Sequence, residues 1–205
     1  MLEAHINNLI FDLGGVIIDI NPAASFEAMQ AMANDSASGS VSEHHEVFLQ
    51  YEKGLIDDER FRYGVRTIIQ QPDTPLHHID EAWCRMLIEV PLPRLQLLLR
   101  LKERYRTFVL SNTNQIHVEA FNKMIEAVSG QKNINHYFEK VYYSHELNMR
   151  KPDAEIYQHV LEDSNLLPHE TLFLDDREEN LKAAAALGIA TRQVTPDYSI
   201  IDIFA

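Results

Sequence analysis

Five side chains, far apart along the chain, have types suited to handling a phosphoryl group. Asp12 closes the apolar run Leu9-Ile10-Phe11, and Ser111 closes Thr107-Phe108-Val109-Leu110. Lys151 stands between Arg150 and Pro152, and the pair Asp175-Asp176 closes Thr171-Leu172-Phe173-Leu174. In a parallel α/β sheet, ligands gather outside the carboxyl ends of the strands. If these runs are such strands, an acid, a hydroxyl, a base and an acid pair converge on one rim. Three carboxylates cannot share that rim unaided, because two unit charges about 4 Å apart repel by roughly 4 kcal/mol at an effective dielectric of 20. Either protons are retained or a cation is bound. An all-oxygen cluster with room for water suits Mg²⁺, which favours carboxylates plus a substrate phosphate. Such an ion, Lys151 and the Ser111 hydroxyl would together clamp a phosphoryl group, with backbone N–H groups after Asp12 and Ser111 adding hydrogen bonds. The chemistry left to Asp12 is nucleophilic attack, giving an aspartyl-phosphate that water hydrolyses.

The elements that must position these groups follow from the pattern. Leu9–Asp12, Thr107–Leu110, the weaker Val141–Tyr143, Thr171–Leu174 and Ile189–Thr191 read as short buried strands. Helix-length segments separate them: Arg94–Tyr105 with its leucine stripe, Asp153–Asp163 behind Pro152, and the alanine-rich Glu178–Leu187 closed by Gly188. Strands alternating with helices predict βαβ units and a Rossmann-like parallel sheet flanked by helices, an α/β fold. Residues 21–90 read differently, as amphipathic helices without a convincing strand, broken by turn-prone stretches at Asn34–Ser40 and Gln71–Pro75. The expected organisation is a core of residues 1–18 and 92–205, with an all-helical insert over 19–91.

Composition narrows the function classes. Eighteen Lys and Arg against 31 Asp and Glu give a net charge of −13, which repels nucleic acid and anionic membranes and excludes both as expected partners. One cysteine, Cys84, permits neither an intrachain disulfide nor a cysteine-built zinc site. No leader pattern and no apolar stretch of about 18 residues is evident, so the expected setting is cytoplasmic. The histidine pairs His44-His45 and His77-His78 lack partners at metal-ligand spacing and read as solvated.

Four stretches together resemble the haloacid dehalogenase-like (HAD) hydrolases: Ile10-Phe11-Asp12-Leu13-Gly14-Gly15-Val16, Val109-Leu110-Ser111-Asn112-Thr113, Arg150-Lys151-Pro152-Asp153, and Phe173-Leu174-Asp175-Asp176-Arg177-Glu178-Glu179-Asn180. They occur in the family's order, and the last two are most similar to the branch containing bacterial glucose-1-phosphatases. The resemblance implies that the insert is a C1-type cap that closes over the site. It implies Asp12 as nucleophile and metal ligand, with Ser111, Asn112 and Lys151 on the phosphoryl group. It further implies Asp176 and the Gly14 carbonyl as metal ligands, and Asp175 and Asn180 as their support. The expected activity is Mg²⁺-dependent hydrolysis of a small phosphorylated metabolite, such as a sugar phosphate. A metal-free 2-haloacid dehalogenase, a phosphotransferase or mutase, and a non-catalytic phosphate-binding protein are the alternatives.

One position departs from the family pattern. Two residues after the nucleophile, where an aspartate usually serves as general acid and base, this chain has Gly14. Loss of such a group typically costs about 10²–10⁴-fold in rate. Proton transfer assisted by the substrate, or a nearby residue such as Asp19, is the expected substitute. Nothing in the sequence specifies an oligomeric state.

Overall fold

The structure, a computed structural model, describes residues 5–37, 41–42 and 46–205. Strands β1 (Asn8–Phe11), β4 (Arg106–Ser111), β5 (Lys140–Tyr143), β6 (Thr171–Asp175) and β7 (Ala190–Gln193) form one parallel sheet, ordered β5-β4-β1-β6-β7. The central strand β1 pairs with β4 on one side and β6 on the other, Phe11 lying opposite Val109 and Leu174. All four of its residues are buried. Successive side chains in a strand point to opposite faces, and these do. Leu9 and Phe11 join Val109, Leu172 and Leu174 on one side, while Ile10 joins Phe108, Leu110 and Phe173 on the other. Continuous apolar runs, rather than alternating ones, are what such a doubly covered sheet demands.

Helices α5 (Leu92–Lys102), α6 (Gln115–Ser129), α8 (Ala154–Asp163) and α9 (Glu178–Ala186) make the long connections, with short helices α7 (Ser144–Leu147) and α10 (Ile200–Ile203) completing them. The predicted helices match α5, α8 and α9 to within a few residues. The longest, α6, was not anticipated. Its start is set by Asn114, whose side chain accepts from the His117 N–H, and its end by Gly130 in the left-handed region.

Between β1 and β4 in sequence lie helices α1 (Pro22–Ala31), α2 (Glu46–Glu52), α3 (Asp58–Ile69) and α4 (Leu76–Trp83). They bury a separate aromatic cluster, in which Phe48 stacks on Trp83 with centroids 5.2 Å apart and Tyr51 on Phe61 at 4.1 Å. Arg62 grips Asp80 with two hydrogen bonds of 2.8 and 2.9 Å, tying α3 to α4. The expectation of a strand-free insert needs correction. β2 (Asp19–Ile20) and β3 (Leu87–Glu89) form a two-stranded antiparallel ribbon where the chain leaves and rejoins the sheet. Two- and three-residue strands are too short to show a period of two. Of the expected loop at 34–40, Asp35–Ala37 is a 3₁₀ turn, and residues 38–40 lie outside the described residues, as do His44 and His45. His77 and His78 are exposed.

The insert is seated on the sheet by the segment after α2. Asn148 donates to the carbonyls of Lys53 and Gly54 at 3.0 and 3.2 Å, and Ser144 Oγ donates to the Glu52 carbonyl at 2.6 Å. Gly54 has φ +67°, and a Cβ there would lie 1.9 Å from the His145 carbonyl oxygen. Only a glycine fits this approach. Gly54→Ala should destabilise the protein by about 2 kcal/mol or more, since the left-handed conformation alone costs about 1–2 kcal/mol for a residue with a Cβ; urea denaturation checks this.

Candidate active site

The carboxyl ends of β1, β4 and β6 open into a cavity of about 490 Å³. Its floor comes from the sheet: Asp12, Gly14, Ser111, Asn112, Lys151, Asp176 and Asn180. Its roof comes from the insert: Ile20, Phe26, Phe48, Glu52 and Trp83. The first group comprises residues singled out in the sequence, and the structure brings them together.

Lys151 is the centre of the floor. Its side chain is 1% exposed, with Nζ 2.9 Å from Asp12 Oδ1 and 2.7 Å from Asp175 Oδ2. Burial opposes the ammonium charge, but Asp12 and Asp175 more than offset this and hold its pKa above the usual lysine range. Asn112 fixes the loop that carries it. The Asn112 amide donates to the Lys151 carbonyl and accepts from the Lys151 N–H, both at 2.9 Å. The side chain assigned above to substrate therefore spends both ends of its amide on this loop.

Asp175 is fully buried and saturated. Beyond Lys151, it accepts from the Arg177 N–H at 2.8 Å and from Asn180 Nδ2 at 3.0 and 3.1 Å. Asn180 is itself buried, its carbonyl accepting from the Tyr157 hydroxyl. Asp176 differs. Its backbone carbonyl accepts from Gln193, and among the described residues its carboxylate has no side-chain partner, meeting only its own backbone N–H. Gly15, with φ +72°, runs directly over that carboxylate: a Cβ there would lie 2.7 Å from Asp176 Oδ2. The loop after β1 thus presses its backbone onto Asp176, and only glycine permits it.

Asp12, Asp175 and Asp176 place one carboxylate oxygen each within 4.8 Å of one another. The electrostatic cost is visible. Burial pushes the Asp12 carboxyl up to about 7 against the pull of Lys151, with Asp175 and Asp176 adding to the rise. Asp176 is also raised, first by burial and then by Asp175. One ammonium does not neutralise three carboxylates. The hard oxygen donors, the uncommitted Asp176 carboxylate and the glycine cradle above it fit a small divalent cation such as Mg²⁺.

Several cavity residues had no sequence signal. Glu52 sits at the end of α2, with Oε2 3.2 Å from Arg150 Nη2. Trp83 and His117 close the far side, their rings stacked at 4.7 Å. His117 Nε2–H donates to the Trp83 carbonyl at 3.0 Å, and Asn114 Nδ2 donates to Nδ1 at 3.1 Å. The ring is neutral, because burial pulls its pKa down to about 4. Asp19, the sequence's substitute acid, is held by Arg94 at 2.6 Å and is not among the residues lining the cavity.

A haloacid dehalogenase-like hydrolase family model matches residues 6–188. The chain belongs to this family. It is 32% identical to a D-ribitol-5-phosphate phosphatase of Bacteroides thetaiotaomicron, over 92% of this chain and 91% of that one. A HAD family enzyme of the same organism, crystallised with magnesium and inorganic phosphate, superposes with a TM-score of 0.84 at 38% identity, covering 96% of this chain and 98% of that one. A HAD-like hydrolase of Porphyromonas gingivalis does so with a TM-score of 0.87 at 28% identity, covering 98% and 97%. Among the described residues no helix is long and apolar enough to cross a membrane.

Two outcomes follow for this HAD-like hydrolase. Lys151→Met leaves Asp12 and Asp175 buried without their counter-charge. It should cost about 3–5 kcal/mol of stability in metal-free protein, measured by urea denaturation at pH 7. His117 is neutral when folded, and its pKa falls from 6.5 to about 4. Its contribution is complete above pH 6.5 and is lost as pH falls towards 4, by up to about 3 kcal/mol. In His117→Gln, that part of the pH dependence of stability should disappear.

Proposed function

We propose that this protein is a Mg²⁺-dependent phosphatase that hydrolyses a small phosphate monoester through an aspartyl-phosphate on Asp12. The observation carrying this reading is the buried Lys151 ammonium bridging Asp12 and Asp175 beside the uncommitted Asp176 carboxylate. Residues 1–18 and 92–205 act as the catalytic core, and residues 19–91 as a cap whose aromatic cluster roofs the cavity. The relative acting on D-ribitol 5-phosphate supports a sugar or polyol phosphate as substrate. A diffusible metabolite in the cytoplasm suits a chain of net charge −13 with a single cysteine, and leaves no role for nucleic acid or membrane.

Asp12, Asp176 and the Gly14 carbonyl would hold the ion, which would supply positive charge against the phosphoryl oxygens. Asp12 supplies the carboxylate oxygen that attacks phosphorus, and it becomes the leaving group when water attacks in turn. Lys151 draws the Asp12 carboxyl towards its ionised, nucleophilic form and places a fixed positive charge where negative charge accumulates. Ser111, buried at the end of β4, donates its hydroxyl to a phosphoryl oxygen. Asp175 and Asn180 keep Lys151 in register, and Asn112 sets the height of its loop. Metal-free attack on a carbon–halogen bond would need no cation beside Asp12.

The test is phosphate release across phosphorylated sugars and polyols. Wild type should turn over at least one of them, lose activity in EDTA and regain it with Mg²⁺. Asp12→Asn should lower turnover by at least about 10³-fold while folding normally by circular dichroism. Undiminished phosphate release in EDTA, or in Asp12→Asn, would overturn the assignment.

A further inference from the structure

We infer that Glu52, delivered by the cap, is the general acid and base of the reaction, in place of the aspartate that the core lacks at Gly14. The inference rests on the phosphatase reading. Position 14 cannot simply be regarded as a vacant seat for an acid. A Cβ on Gly14 would lie 2.8 Å from Ile20 Cδ1, so the apolar end of Ile20 takes up the space that a side chain there would enter. The proton donor has to come from another wall of the cavity.

The titratable groups lining that cavity leave one candidate. Asp12 and Asp176 are committed to attack and to the cation, and Lys151 to charge. His117 has both ring nitrogens engaged, with Asn114 and the Trp83 carbonyl, and stays neutral. Glu179 lies out on the rim, paired with Arg177 at 2.6 Å and about half exposed. Glu52 remains. Its ion pair with Arg150 uses Oε2, and Oε1 makes no hydrogen bond among the described residues. Burial raises its carboxyl above the ordinary glutamate range, against the opposing pull of Arg150, Arg177 and Lys151. A carboxyl raised in this way keeps its proton to higher pH than an ordinary glutamate and can donate it to a leaving oxygen.

Its placement is also rigid. The Glu52 carbonyl accepts from Ser144 Oγ, and the next two carbonyls accept from Asn148. Gly54 is wedged against His145. Three successive residues of the cap are thereby anchored to the core, which fixes the backbone from which Glu52 lines the cavity. The Glu52 carboxyl protonates the leaving oxygen as the phosphorus–oxygen bond of the ester breaks and the Asp12–phosphorus bond forms. The resulting Glu52 carboxylate then takes a proton from the water that attacks phosphorus. That attack releases inorganic phosphate and regenerates the Asp12 carboxylate, and the Glu52 carboxyl is restored.

Leaving-group dependence separates this role from a structural one. A polyol phosphate needs its leaving oxygen protonated, whereas p-nitrophenyl phosphate expels a stabilised anion. In Glu52→Gln, which can still hydrogen-bond Arg150, the ratio of polyol to p-nitrophenyl kcat/KM, which reports the transfer to Asp12 and not the hydrolysis of the shared aspartyl-phosphate, should fall by about 30-fold or more. The affinity for inorganic phosphate with Mg²⁺, measured by calorimetry, should stay within about threefold, showing an intact site. In metal-free wild type, carbon-13 NMR of the glutamate carboxyls should find one, absent from Glu52→Gln, that titrates above the ordinary range. Equal losses of kcat/KM with both esters, no loss with either, or a Glu52 carboxyl titrating normally would each overturn the inference. Failure of wild type to release phosphate from either ester would instead remove the phosphatase reading beneath it.

Discussion

A single buried ammonium organises this molecule's active end. Lys151 has almost no exposure, so its charge is tolerable only because Asp12 and Asp175 lie within 3 Å of it. The reverse also holds: neither carboxylate would stay at the strand ends without it. The arrangement spans three separated segments of chain, ending at β1, before α8 and at β6. The parallel register of β1 with β6 and the Asn112 contact with the Lys151 backbone serve to place that one nitrogen. The remaining imbalance, centred on Asp176, favours a further positive charge at the floor.

Around this floor, polarity falls off on the opposite wall. The cap presents Phe26, Phe48 and Trp83, packed among themselves by edge and stacked contacts. Glu52 and its partner Arg150 interrupt that surface. On the proposed reading the phosphoryl group lies on the floor and the carbon skeleton it leaves lies under the roof. Sugar and polyol C–H faces pack well on aromatic rings, while their hydroxyls need the few polar groups there.

The groups at strand ends could be read from residue types alone. Buried parallel strands are continuous apolar runs, and each useful run ended in a residue that has no reason to follow one unless it faces a ligand. Asp12, Ser111, Asp175 and Asp176 were found this way, and Lys151 through the loop that follows the weaker run Val141–Tyr143. The cap residues could not be found so. Glu52 is one acid among 31, and only the docking of α2, mediated by Ser144 and Asn148, decides that it faces the cavity. The β2–β3 ribbon was too short to carry a period. Helix α6 escaped although its signals were present: Asn114 as cap, Phe121 and Ile125 on one face, and Gly130 at its end. Asn112 shows a third kind of shortfall. Its position beside Ser111 suggested substrate, but its amide meets the backbone of Lys151, a contact between residues 39 apart in sequence.

The contact between Gly54 and the His145 carbonyl also bears on how such enzymes can diversify. Roof and floor are coded by different stretches, so exchanging roofs between relatives looks like an easy route to new substrates. Yet the graft point is not the ribbon where the insert enters and leaves. Residues 52–54 and 144–148 are moulded to each other, down to a missing methyl group, and they must be inherited together. A transplanted roof that arrives without its matching turn from the core would sit askew over the phosphate.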